Sequence, residues 1–342
     1  MSTKPRKLFL LLSVVTGLTA CARSDVDTPD QRGFLDRHQD RFVLRVMSWN
    51  VKFGSVVPAD GRRHESFPRI LRAVNPDVIC LQEVGPRELE MLTQMVDENL
   101  PIDENQFWHV HHFSDNAIFS RFPLLRREQE AAVSNPLPEL GFPDFHYGQA
   151  MALIDVPDEL SDVDVYVIAM HNRSRAGEER VRKRQVQSDS IVRWIRNQRE
   201  GSALSENTPI IILGDMNVIP SDPAQHLSTL LTGNIADEET YGPDFKPDWD
   251  STDLTDALPS HNALGKEFYT WRLDDGAFPP GALSRILYTD SVLSLKLSLV
   301  LNTTSMNSEA LRKYGLRETD VLLGGKSGSF DHLPLVADFA IR

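Results

Sequence analysis

The stretch IIILGDMNVIPSD, Ile210 to Asp222, runs four apolar residues into two polar ones set one residue apart, Asp215 and Asn217. Consecutive apolar residues from Ile210 to Leu213 are the pattern of a strand covered on both faces, and Gly214 lets the backbone turn as that strand ends. Asp215 and Asn217 are thereby held on a rigid element at the rim of a core. Asp and Asn also hydrogen-bond their own backbone at strand ends, so an isolated D-x-N reads as an Asx turn. The rest of the chain separates that reading from a functional one.

Short apolar runs recur from about Arg41 onward: FVLRVMSW, DVICLQE, FWHVHHF, NAIFSR, GQAMALIDV, DVYVIAM, PIIILG, RILYT, LKLSLVL and LPLVADF. They predict around ten strands. Helical spacing is clearest in ESFPRILRAVNP, where Phe67, Ile70, Leu71 and Val74 share a face before Pro76 stops the run. It recurs in EERVRKRQVQSDSIVRWIRNQRE, with Val181, Ile191, Val192 and Ile195 on one face and Arg180, Arg182, Lys183 and Arg184 on a solvated one. Residues 236–256 are acidic, interrupted by Gly and Pro, and read as a surface insertion. Many strands with interspersed helices and no second core favour one mixed domain over residues 41–342.

Five of these strands deliver an Asn, a carboxylate or a His at an end. VMSWN leaves Asn50, VICLQE leaves Glu83, VYVIAMH leaves His171, IIILGDMN leaves Asp215 and Asn217, and SFDHLPLV sets Asp331 and His332 just before the last strand. Any one of them is unremarkable as a turn cap or a satisfied core residue. Their recurrence shifts the odds toward a shared site. His109 and His111 in HVHHF share a strand face and read as incidental histidines of a partly exposed strand.

The set WN at 49–50, LQEV at 81–84, NAIFSRFPL at 116–124, His171, GDMN at 214–217 and FDHLPLVADF at 330–339 resembles the endonuclease/exonuclease/phosphatase, or DNase I-like, superfamily. That resemblance implies an α+β fold: a four-layer α/β/β/α sandwich of two packed mixed β-sheets flanked by helices. It also implies divalent-metal-dependent hydrolysis of phosphoester bonds, with Mg²⁺ or Mn²⁺ as cofactor. Glu83 would be the hard oxygen ligand to the metal, with Asn50 orienting that site and Asp331 reaching the metal or steadying His332. Asp215 would deprotonate the attacking water, Asn217 would bond a non-bridging phosphate oxygen, and His171 and His332 would donate to the phosphate as charge builds. Arg173 and Arg175 follow closely enough to meet substrate phosphates. One departure stands out: Ala282 and Ser284 occupy the places where the family carries Arg and the Asp that supports the catalytic histidine. A serine does not stabilise an imidazolium as a carboxylate does, so a slower enzyme, or one with a lower pH optimum, is expected. Asp290 lies too far along the strand to substitute without a change of register, and Asp274 or Asp275 in the preceding loop could compensate, a choice the sequence leaves open.

Residues 1–20 have a basic head (Lys4, Arg6, Lys7) and an apolar core too short to span a bilayer, the pattern of a secretion signal. LTAC, Leu18 to Cys21, resembles a bacterial lipobox, so Cys21 is expected to be lipidated and residues 21–40 to tether the domain to the envelope, with Ala22 pointing to the outer membrane. Cys80, the second cysteine, reads as a small core residue, which leaves no intramolecular disulfide. The net charge is −13, and removing residues 1–20 takes away three positive charges and no negative ones, leaving −16. Such a chain gains nothing from general electrostatics on approaching DNA or an anionic lipid surface. A monomer acting on a small diester, a lipid head group or a phosphomonoester is therefore preferred over a DNase-type endonuclease. The other class kept open is a weakly active or non-catalytic binding protein that retains the fold.

Overall fold

In a computed structural model, residues 33–38, 42–57, 63–103, 106–132, 148–273, 278–321 and 331–342 are described. The leader, Cys21 and the tether as far as residue 32 lie outside them, as do Asp274 and Asp275. Among the described residues no helix is long and apolar enough to cross a membrane.

Strict alternation within apolar strands builds the layers. In β8 (Ile210–Asp215), Ile211 and Leu213 face one core while Ile210 and Ile212 face another, which is why the run needs no polar residue until its end. The strand β7 (Val165–His171) beside it alternates in the same way, with Val165, Val167 and Ala169 inward and Tyr166, Ile168 and Met170 outward. In β1 (Leu44–Asn50), Leu44 and Val46 point into the shared core and Met47 and Trp49 away from it. Two sheets result. The first has seven strands, in the order β10 (Ser260–His261), β12 (Leu293–Val300), β13 (Leu335–Ile341), β1, β2 (Val78–Gln82), β4 (Asn116–Ser120) and β3 (His109–Phe113). The second has six: β5 (Leu124–Glu130), β6 (Gln149–Ile154), β7, β8, β11 (Ser284–Tyr288) and β9 (Thr255–Asp256). Their inner faces close one core, with central strands β1 and β2 against β7 and β8. Helices α1 (Ser66–Val74) and α2 (Leu89–Asn99) cover the first sheet, and α3 (Glu178–Glu200) and α4 (Gln225–Thr232) cover the second. This is the α/β/β/α sandwich that the motifs imply, and Cys80 lies fully buried in its central core.

Three local expectations need correction. Thirteen strands form among the described residues, against the ten or so expected: β5 alternates exposed charged residues as an edge strand, and β9 and β10 are two residues each, so none carries an apolar run. The folded body reaches back to Phe34, because Leu35 is buried and its carbonyl accepts from Arg45 Nη1 at 2.7 Å. Residues 236–256 lie largely exposed on the surface and are bound to α3 as a strap. Asp189 accepts the N–H groups of Ala236 and Asp237, Arg196 donates to the carbonyls of Tyr241 and Pro243, and Arg199 lies 4.1 Å above the Trp249 ring. Arg184 is wholly buried, not solvated.

Gly214 sits inside β8 at φ +145, and a Cβ there would lie 2.0 Å from the Met170 carbonyl oxygen of the neighbouring strand. Gly214→Ala is therefore expected to force β7 and β8 apart and to cost at least about 3 kcal/mol, measured by urea unfolding. At the sandwich end away from Asn50, buried Arg45 grips Asp338 through two bonds of 2.6 and 2.7 Å. Arg45→Met leaves that carboxylate buried without its partner, and a loss of about 3–5 kcal/mol is expected by the same measurement.

Candidate active site

Chain direction gathers the polar residues at one end of the sandwich. Parallel strands β1 and β2 both finish there, delivering Asn50 and Glu83. Strands β4 and β13 run antiparallel to those neighbours and begin at the same end, which brings in Asp115 and His332. In the second sheet, parallel β7 and β8 end with His171 in register with Asp215. Antiparallel β11 starts with Ser284 opposite Asp215.

The two sheets are joined at this end by one amide. Asn50 Nδ2 donates to Glu83 Oε1 at 2.9 Å and to Asp215 Oδ2 at 3.1 Å, while its Oδ1 accepts the Lys52 N–H at 3.0 Å. Asp215 resolves the question raised by its sequence context, since it does both things. Its Oδ1 accepts the Asn217 N–H at 3.0 Å, forming the Asx turn, and its Oδ2 faces His332 Nε2 at 3.5 Å and His171 Nε2 at 3.8 Å. The turn thus fixes the carboxylate whose other oxygen is offered to the site. Asn217 donates from Nδ2 to the Asn172 carbonyl at 2.9 Å, tying together the residues that follow His171 and Asp215. Lys52, Glu83 and Asn217 all adopt left-handed backbone (φ 56, 58 and 50). For Lys52 and Glu83 that conformation costs on the order of 1 kcal/mol or more, a cost that surrounding hydrogen bonds at functional sites commonly offset.

Asp115, which the sequence motifs pass over, completes the constellation. It is fully buried directly before β4 and holds His171 Nδ1 at 2.6 Å. Its sequence signal was modest: an acidic residue immediately ahead of NAIFS, in the tight turn from β3. Burial works against a charged His171, but the charges of Asp115, Asp215 and Glu83, together with the Asp115 hydrogen bond, outweigh it and raise the imidazole to about 10. Glu83 is pushed upward by burial, against the pull of His171, the Asn50 hydrogen bond and His332. His332 has no hydrogen-bond partner for Nδ1 among the described residues, consistent with Ser284 standing where the family carries a carboxylate. Asp290 lies beyond Tyr288, at the far end of β11. Asp331 faces Lys52 Nζ at 3.7 Å, and its carbonyl accepts the Arg272 N–H at 2.9 Å. Arg173 and Arg175 sit on the loop from His171 to α3, with Arg175 exposed at φ 73. In β3, His111 and His112 bond the backbone carbonyls of Glu128 and Val84, as structural residues do.

Among the described residues no three His, Cys, Asp or Glu side chains group to hold a metal by themselves. The donor set does fit a hard cation that keeps much of its water. Glu83 is a partly exposed carboxylate with the Asn50 amide on one oxygen, and the Asp331 carboxylate is near enough to raise it further.

The model of the Endonuclease/Exonuclease/phosphatase family matches residues 47–305, and the chain belongs to that family. Its enzymes are hydrolases of phosphoester bonds. No curated protein matches this chain in sequence. Among solved structures, the catalytic domain of human Nocturnin with bound sulfate is 18% identical, over 91% of this chain and 100% of that one, with a TM-score of 0.54. A mannosyl-6-phosphatase from Bacteroides thetaiotaomicron is 17% identical over 87% of this chain and 99% of that one, TM-score 0.54. The D. rerio TDP2 complexed with a single-stranded DNA product is 16% identical over 87% and 99%, TM-score 0.52. At such identities these likenesses show the shared fold.

A histidine raised in the folded state contributes stability that is complete below its unfolded value, near 6.5, and is lost as pH rises toward about 10. In metal-free protein, Asp115→Asn is expected to bring the NMR titration of the His171 ring down toward the ordinary imidazole range. It should also flatten the loss of unfolding free energy between about pH 6.5 and 10. A variant whose His171 still titrates near 10 would show that Asp115 does not hold the charge.

Proposed function

We propose that this protein is a divalent-metal-dependent phosphoesterase that hydrolyses small phosphodiester or phosphomonoester substrates, with His171, Asp215, Asn217 and His332 as its catalytic residues. The observation that carries the reading is the convergence on Asp215 Oδ2 of the Asn50 amide at 3.1 Å, His332 Nε2 at 3.5 Å and His171 Nε2 at 3.8 Å. A carboxylate set between two imidazoles, beside a second carboxylate on the same amide, is suited to moving a proton while negative charge builds on a phosphoryl group. Glu83, with Asn50 and Asp331, would hold Mg²⁺ or Mn²⁺, which supplies positive charge to the phosphate oxygens.

Each residue then has a defined task. Asp215, held in place by its turn, accepts the proton of the attacking water at Oδ2. His171, charged and donating from Nδ1 to Asp115, presents its Nε2 proton to the phosphoryl or leaving oxygen. Asn217 uses one amide hydrogen on the Asn172 carbonyl and keeps the other for a non-bridging oxygen. His332 donates from Nε2 on the opposite side of Asp215. All four residues are buried, so charge on the substrate is met by fixed donors rather than by bulk water.

The net charge of −13 supports small substrates over duplex DNA. Two proteins of the same fold are described as a mannosyl-6-phosphatase and a 2′,3′-cyclic phosphatase, which supports a phosphatase-type reading. The leader ending at Cys21 supports action as a lipid-anchored enzyme of the bacterial envelope. One observation favours a second reading, a weakly active or binding protein: His332 Nδ1 is buried and has no hydrogen-bond partner among the described residues.

The chain from Phe34 onward, with Mg²⁺ or Mn²⁺, is expected to hydrolyse an aryl phosphodiester or an aryl phosphomonoester. Asp215→Ala or chelator should lower turnover at least about 10²-fold. Preferential nicking of supercoiled plasmid would select the endonuclease alternative. Absence of metal-dependent turnover above Asp215→Ala on all three substrates would sink the enzymatic reading.

A further inference from the structure

We infer that Arg184 is a positioning residue that locks the loops following His171 and Asp215 into one unit, so that the active-site rim depends on a guanidinium buried inside α3. Arg184 is fully buried, an unusual place for an arginine on an outer-layer helix. Its Nη1 donates to two successive turns of the first loop, the carbonyls of Arg173 at 3.0 Å and Arg175 at 2.9 Å. Its Nη2 pairs with Asp222 Oδ2 at 2.6 Å, at the end of the second loop, and the same oxygen takes the Gly177 N–H at 3.3 Å. One helical turn onward, buried Gln187 accepts the Arg173 N–H at 2.9 Å and donates to the His171 carbonyl at 3.2 Å.

The loop from His171 to α3 therefore carries its backbone polar groups on α3 side chains rather than in a regular element. It is bent through left-handed backbone at Arg175 (φ 73) and Gly177 (φ 116). The second loop is stitched to the first near the site by Asn217 Nδ2 to the Asn172 carbonyl and by the Asn172 N–H to the Asp215 carbonyl at 2.8 Å. Without Arg184, two carbonyls lose their donor and Asp222 is left partly buried without its cation, which removes the one side chain that bonds both loops at their outer part. A planar fork reaches all three acceptors at once, and a lysine ammonium cannot. The consequence for Arg173 and Arg175, which follow His171, is that substrate affinity should depend on a residue that does not itself touch substrate. That consequence rests on the phosphoesterase reading; the lock does not.

Native-state trypsin digestion well below the melting temperature reads the lock directly, through cleavage after Arg173 and Arg175 followed by mass spectrometry. Arg184→Met is expected to raise that cleavage rate at least tenfold, with Arg184→Lys intermediate. The kcat/KM of Arg184→Met on the aryl phosphoester should fall tenfold or more, with the larger part in KM. Asp222→Asn, which keeps the shape and removes only the pairing charge, should change both readouts in the same direction and serves if Arg184→Met does not fold. Unchanged cleavage in the folded variants overturns the lock. Faster cleavage with kcat/KM within twofold of the parent overturns the positioning role. The digestion needs no substrate, so it decides the lock even if the parent hydrolyses none of the phosphoesters, a result that would fall on the functional reading instead.

Discussion

The Asn50 side-chain amide is the contact on which the rest of the site depends. Two carboxylates from different sheets, Glu83 and Asp215, approach the same Nδ2 at 2.9 and 3.1 Å, at a place largely removed from water. Their repulsion is tolerable because that amide, His171 and His332 surround them with donors. The arrangement also requires two registers to hold together, since a one-residue slip in β1 or β8 would turn Asn50 or Asp215 to the other face. Packing of the central core between the sheets is what fixes both registers, so the chemistry at the rim is an extension of apolar contacts such as Val46, Val167 and Leu213.

The second sheet's outer helix shows why its sequence is unusually polar. The C-terminal half of α3 buries Ile191, Val192 and Ile195, as an amphipathic helix should. Its N-terminal half buries Arg184, Gln187 and Ser188 instead, because there it covers loops with unpaired backbone groups rather than a sheet face. The same helix then receives the strap 236–256 through Asp189, Arg196 and Arg199. One element thus supports the active-site loops at one end and closes the sheet edge at the other.

The two histidines are supported very differently. His171 lies between Asp115 and Asp215, whose charges favour its protonated form, whereas His332 Nδ1 has no partner among the described residues and the ring takes its orientation from the backbone: it bridges to Trp271, and its carbonyl accepts from Trp49 Nε1 at 3.0 Å. This asymmetry is why we propose proton donation by His171 and a hydrogen-bonding role for His332.

By itself the sequence determined the sandwich, the family and the strand ends that meet. Period-two apolar runs specify doubly covered strands, and polar residues at their ends have few ways to be satisfied except by one another. It also determined the helices α1 and α3, whose apolar residues repeat at helical spacing. Only the tertiary structure decided that Asp115 holds His171, that Arg184 is buried, that residues 236–256 are bound and that Leu35 belongs to the core. Each of these rests on a contact outside the local apolar pattern, such as Asp115 with His171 or Arg196 with the Pro243 carbonyl. A charged residue looks the same in sequence whether water or a buried carbonyl will receive its proton, and the packing of the two sheets makes that choice.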